Sequence, residues 1–248
     1  MASWMFALIA TKSRMWEIGH LPASIFVMDA AILQAYWILL FIIQGAYICH
    51  TSLTMAQLAT VPPMVDTHFI INNLLHTIFA ILVFCADFVF AEAALVVNFF
   101  NLLTLYSIDS GGPRFHHAGL VAGPLSWTIV AIYWNGSMTL PQPGSLVAGI
   151  LSSIFLFTVR QQSHNVQDYI VSFCLCLISS AIAAGQYHQM DANSIGQHSE
   201  VMLLVQSCFA FLIVVALLAL TVAMMLAEWV SNRSRAEESH SPHTEVSK

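Results

Sequence analysis

The chain has 248 residues, of which 58% are hydrophobic and 8% charged, with a mean hydropathy of +0.76. Soluble domains carry about 25% charged residues, so this set is too sparse to cover a water-exposed surface of this size. A formal charge of −6 leaves no footprint for a polyanion. An ordinary cytosolic enzyme, a nucleic-acid binder and a disordered regulator are excluded. The expected class is all-α, a polytopic membrane bundle of about seven transmembrane helices.

Residues 1–24 read as an N-terminal interfacial segment. The apolar stretch from Ala2 to Ala10 is too short to span, and Lys12 and Arg14 follow it, the wrong order for a signal peptide. Residues 25–228 hold seven runs of spanning length, at 25–49, 69–86, 91–108, 118–134, 144–160, 168–187 and 201–228. Asp87 and Glu92 are the only charges between Phe69 and Ile108, so a tight turn is expected there. Pro62-Pro63, Gly111-Gly112-Pro113 and Pro141-Gln142-Pro143-Gly144 mark further breaks. Residues 229–248 are polar and aperiodic, and are expected to form a disordered cytoplasmic tail.

Sidedness follows from the basic residues. Lys12 and Arg14 stand on one side, against Arg114, Arg160, Arg233, Arg235 and Lys248 on the other. The positive-inside tendency then predicts a lumenal N-terminus and a cytoplasmic C-terminus, with the endoplasmic reticulum as the expected membrane. Asn135-Gly136-Ser137 is a glycosylation sequon on the lumenal side. It abuts a span and is expected to stay unmodified.

Polar groups at membrane depth must face protein or water. At about 100° per residue, Asn72, Asn73, His76 and Asp87 fall on one stripe of the second span. Asp29, Tyr36, Gln44 and Tyr47 do the same on the first. Asn98 and Asn101 are neighbours on the third, with Glu92 on another face. The pattern predicts a polar cavity among spans one to three, with Asp29, Asp87 and Glu92 at its lumenal mouth. The competing reading is interhelical hydrogen bonding without chemistry. The five cysteines sit in apolar surroundings and are expected to be buried thiols. His116 and His117 are adjacent and therefore diverge, so no metal is expected there. No phosphate loop, nucleophile elbow or Asp-Asp-x-x-Asp diphosphate site occurs.

Three segments carry a resemblance: His68-Phe-Ile-Ile-Asn-Asn-Leu-Leu-His76, Ala91-Glu-Ala-Ala-Leu-Val-Val-Asn-Phe-Phe-Asn-Leu-Leu-Thr-Leu-Tyr106, and His117-Ala-Gly-Leu-Val-Ala-Gly-Pro-Leu-Ser-Trp-Thr-Ile-Val-Ala-Ile-Tyr-Trp-Asn-Gly136. They resemble an uncharacterised fungal family of small multi-pass membrane proteins. That resemblance covers the middle of the chain and implies a fold without an activity. In length and span count alone, the chain also resembles integral membrane terpene cyclases of fungal biosynthetic clusters.

The second resemblance implies an acid-initiated cyclisation of a prenylated metabolite. Such a reaction needs a carboxylic acid that a low dielectric keeps protonated, and a dry pocket with aromatic faces for the cation. Asp87, Glu92 and Asp29 are the candidate acids, with His76 orienting the acid or accepting the final proton. Asn72, Asn73, Asn98, Asn101, Tyr36, Trp127 and Trp134 are candidate substrate contacts. Trp37, Phe99, Phe100, Tyr106 and Tyr133 are further aromatic candidates. The substrate would be lipophilic and enter from the bilayer lipid. No cofactor and no metal is expected, and no nucleic-acid partner. The alternatives are a structural or assembly factor, or a small-molecule transporter, for which spans four to seven offer few polar groups.

Overall fold

The computed structural model describes residues 3–5, 7, 28–54, 63–108, 114–139, 169–192 and 197–240. Among them there is no strand. In chain order the helices are α1 (Ala30–Thr54), α2 (Pro63–Phe84), α3 (Phe88–Ile108), α4 (Arg114–His117), a π-helical segment (Ala118–Ala122), α5 (Gly123–Thr139), α6 (Tyr169–Ala192) and α7 (Gln197–His240). Five of these hold stretches long and apolar enough to cross a membrane: Ala30–Ser52, Val65–Phe84, Phe88–Ile108, Tyr169–His188 and Phe211–Ser231. The run expected at 144–160 lies outside the described residues, as does the interfacial segment apart from Met5, Trp4, Ser3 and Ala7.

The bundle is apolar outside, and its core is apolar with a set of polar side chains turned inward. Ile38, Ile42, Ile78, Ile81, Val97, Phe100, Phe211 and Leu226 face outward, whereas Gln44, Asn72, Asn73, His76 and Asn98 are buried. This arrangement suits lipid, where an outward amide would lose its hydrogen bonds. Cys49, Cys85 and Cys208 also face outward, contrary to the expected burial. In lipid a thiol on the outer face sits in apolar surroundings too, so the sequence context could not separate the two.

α4, the π segment and α5 follow one another without a break and form the centre of the bundle. Leu120, Val121, Ala122, Leu125 and Ala131 are almost fully buried. Two features open the helix at this point. Pro124 has no N–H to give the carbonyl of Leu120. The Gly123 N–H reaches Ala118 O, one residue further back than in an α-helix. The Gly119 carbonyl, released by that shift, accepts from Gln44 Nε2 at 3.0 Å. Tyr36 Oη donates to Gly123 O at 2.7 Å. Gly119 and Gly123 also let α1 come close: a Cβ on them would lie 2.6 Å from Ile43 Cγ2 and 2.6 Å from Leu40 Cδ1, respectively. Their four-residue spacing is the small-residue pattern of close helix pairs in membranes.

α5 and α6 run parallel. Ser126 Oγ, near the start of α5, lies 3.3 Å from Val171 O, near the start of α6. Thr139 and Tyr169, the end of α5 and the start of α6, therefore lie at opposite ends of the bundle. Asp29 N donates to Ala181 O at 2.7 Å, so α1 begins beside the middle of α6.

The turn between α2 and α3 lies at Cys85–Asp87, slightly ahead of the expected place. Asp87 N donates to Leu82 O and Ala86 N to Val83 O, the paired bonds of a Schellman cap. Ala86 takes the left-handed conformation, φ 57°, that such a cap demands. The region from 229 is a correction: α7 continues to His240 rather than ending at the membrane edge. A helix already formed propagates cheaply, and Arg235, Ala236, Glu237 and Glu238 are good helix formers. Arg233 stacks over Trp229 one turn back, at 5.6 Å.

Gly123→Leu is expected to destabilise the detergent-solubilised protein by about 1–3 kcal/mol through overpacking against α1. Gly45→Ala, whose Cβ would meet only Trp4 at 3.4 Å, is expected to leave the thermal midpoint unchanged or raised. Ala86→Gly is expected to raise stability by up to about 1 kcal/mol by relieving the left-handed alanine. Thermal denaturation of the three variants checks all three statements.

Candidate functional site

The helix faces that the sequence marks as polar converge on one cavity. Trp37, Phe41 and Gln44 of α1, Asn72, Asn73 and His76 of α2, Asn98 of α3, and Pro124, Trp127 and Thr128 of α5 line it. Of the residues on the polar stripes, Gln44, Asn72, Asn73, His76 and Asn98 line it, whereas Asp29, Tyr36, Tyr47, Asp87 and Asn101 do not, and α5 supplies a further wall. The cavity is small, about 10 Å³.

Two side-chain systems form its walls. The first is polar. Asn98 Nδ2 donates to Asn72 Oδ1 at 3.0 Å and to Thr128 Oγ1 at 3.4 Å, which ties α2, α3 and α5 together. Thr128 can accept because its own hydroxyl donates to Pro124 O at 2.8 Å. Asn73 Nδ2 donates back to Phe69 O. The second system is aromatic and centres on Trp37. Its ring lies 4.6 Å from that of His76, 5.4 Å from Phe41 in a stacked arrangement, and 5.2 Å from Trp127 edge to face.

The acids do not join this cavity, which corrects the expectation of a carboxyl at its mouth. Asp29 precedes α1 and caps it, its Oδ1 accepting from Ile32 N at 2.9 Å. Its other oxygen lies 3.8 Å from His188 Nε2. Asp87 precedes α3, and Phe90 N points to its Oδ1 at 3.5 Å. It therefore belongs to the start of α3 and not to the α2 stripe. Both residues do what aspartate does at helix N-termini, where unpaired N–H groups await an acceptor. Glu92 differs. It sits within the span of α3, half-buried, and accepts from Asn135 Nδ2 at 2.8 Å. The second hydrogen of that amide goes to Phe88 O at 2.8 Å. Glu92 Oε1 also rests near Gly136, 3.9 Å from where a Cβ would be. No lysine or arginine lies in the five spans.

The remaining candidates scatter. Tyr36 is committed to Gly123 O. Asn101 pairs with His68, Nδ2 to the backbone at 3.1 Å and Oδ1 to Nδ1 at 2.8 Å. Trp134 is buried but does not line the cavity, and Phe100 faces outward. His116 stacks near Tyr47 and His50 of α1, while His117 stacks on Tyr106 of α3, the divergence expected of neighbours. Among the described residues no group of three His, Cys, Asp or Glu is placed to hold a metal.

Sequence reasoning missed Thr128 and Asn135. Thr128 carries no charge and lies on a span whose other polar groups are few. Asn135 stands out in the sequence only as part of a sequon. A carboxyl within a span needs a donor, and an asparagine near the end of the antiparallel neighbour is the available signal. No family model matches the chain, and neither does any curated protein or solved structure.

Asn135→Leu is expected to cost about 1–3 kcal/mol, because it leaves the Glu92 carboxyl and the Phe88 carbonyl short of a donor. Adding Glu92→Leu is expected to recover part of that loss. A double-mutant cycle on thermal unfolding reads the coupling, and additive losses would break the pairing.

Proposed function

We propose that the chain is a metal-independent membrane enzyme that cyclises a prenylated, epoxidised lipophilic metabolite, with Glu92 as its acid. The observation that carries the reading is Glu92 itself. It is a carboxyl inside a membrane span with an amide donor and no cation in that span. Ionisable groups at such depth are expensive and are kept for function. The Asn135 amide holds the carboxyl in place.

The aromatic cluster around Trp37 supports the second half of the reaction. Asn98 lies six residues beyond Glu92, about 9 Å along α3, a distance that a multi-isoprene chain bridges. Protonation at Glu92 would open the epoxide C–O bond. The cation would then be passed along the chain towards the faces of Trp37 and Trp127. Loss of a proton to His76 would close the sequence and give an isomer of the substrate. The cavity is narrower than any prenyl group, so substrate entry requires α3 and α5 to part.

The membrane arrangement completes the proposal. What supports seven crossings is the five apolar helices, the central α4–α5 run, and the apolar run at 144–160 in the sequence. A cytoplasmic C-terminus rests on the basic residues, and the endoplasmic reticulum is the proposed membrane. A second reading, a structural or assembly component without chemistry, is favoured by the capping roles of Asp29 and Asp87.

Membranes containing the protein are expected to convert a terminally epoxidised farnesyl phenol into a cyclic isomer, read by chromatography and mass spectrometry. Glu92→Gln is expected to lose that product at unchanged protein level, whereas Asp29→Asn and Asp87→Asn retain it. Full turnover by Glu92→Gln would sink the mechanism. Loss of a cellular phenotype in Gly123→Leu, with Glu92→Gln intact, would establish the second reading.

A further inference from the structure

The cavity among α1, α2, α3 and α5 contains polar atoms that the helices do not satisfy. Gln44 Oε1, Asn98 Oδ1 and Trp127 Nε1 are buried and, among the described residues, meet no hydrogen-bond partner. Their side chains are 2%, 3% and 5% exposed and come from three different helices, yet all line the same cavity. Buried polar atoms are rarely left in this state, least of all within a bilayer.

The orientation of both amides is settled by their other contacts. Gln44 Nε2 faces Gly119 O at 3.0 Å, an acceptor, so its oxygen is the atom left over. Asn98 Nδ2 faces Asn72 Oδ1 and Thr128 Oγ1, so the same holds there. The unmet set is therefore two acceptors and one donor. The complementary ligand offers two donors and one acceptor. An alcohol has one donor and leaves a carbonyl unmet. A ketone or carboxylate has none. An ammonium has nothing to receive the indole N–H. A water has two donors and lone pairs to accept. The volume agrees: about 10 Å³ is on the order of the space that one water needs.

We propose that a single resident water occupies this cavity, donating to Gln44 Oε1 and Asn98 Oδ1 and accepting from Trp127 Nε1. It joins α1, α3 and α5 beside the π segment, where Gln44 also grips Gly119 O. Gln44 is already fixed by Gly119 O, Asn98 by Asn72 and Thr128, and Trp127 by its edge-to-face contact with Trp37, so the site is built before the water enters. The inference concerns the substrate-free protein and does not depend on the cavity being catalytic; a substrate chain entering between α3 and α5 would displace the water.

The test is X-ray radiolytic footprinting of the full chain in lipid nanodiscs, read by mass spectrometry. Radicals formed from an internal water oxidise the side chains beside it. Trp127 and Trp37 are expected to be oxidised several-fold faster than Trp134, which is equally buried but lies off the cavity. In the Gln44→Met, Asn98→Leu double variant the rate at Trp127 is expected to fall to that of Trp134. Equal rates for the three tryptophans in the unaltered protein would overturn the proposal, and that comparison needs no variant to fold. A high-resolution map is expected to hold one compact peak within hydrogen-bond distance of all three atoms. Density that continues into a chain, as for a lipid or alcohol headgroup, would also overturn it.

Discussion

The contact between α1 and the π segment is the constraint on which the bundle depends. A regular helix through Ala118–Ala122 would keep the Gly119 carbonyl for its own backbone. The one-residue slip at Gly123 releases that carbonyl to Gln44, and Pro124 withholds the N–H that would mend the ladder. Glycines at 119 and 123 then allow α1 to approach until Ile43 and Leu40 lie against bare backbone. Tyr36 and Gln44 are thereby fixed at both ends of the contact. Trp37, on the next position of α1, is carried to the centre of the aromatic cluster. The site is thus a by-product of a backbone irregularity in its neighbour.

This arrangement also explains how an apolar bundle acquires a specific register. Lipid and leucine are equally apolar, so burial of leucine does little to choose one helix pairing over another. The Asn98–Asn72–Thr128 bonds, the Glu92–Asn135 bond and the two bonds to the π segment do choose. Each links helices distant in sequence, and each would be lost by sliding or rotating one helix past its partner.

The polar faces were legible in the sequence because the bilayer makes them so. Once Asn72, Asn73 and His76 share a stripe, only one direction is cheap for all three, and helix periodicity alone aims them inward. The aspartates were not legible in the same way. Whether Asp29 and Asp87 lie on a face or cap an end depends on a helix boundary, and a shift of one or two residues changes the role entirely. The slip at Gly123 was hidden for a different reason. Gly-x-x-x-Gly-Pro announces close approach and a weak ladder, but the choice of α or π geometry is made by Gln44 and Tyr36, far away in the chain. Residues beyond Trp229 show the converse: local polarity suggested no structure, while a long preceding helix supplied the nucleus.

Asn135 has one further consequence. Its amide nitrogen is the atom to which an oligosaccharide would be joined, and both its hydrogens are spent on Glu92 and Phe88. A glycan at this position and a packed α3–α5 contact are mutually exclusive. Any chain that carried sugar there would have missed its assembly during synthesis, and could not be repaired by later folding. A sugar on the atom that orders the carboxyl would thus be a permanent chemical mark of a molecule in which that order was never reached.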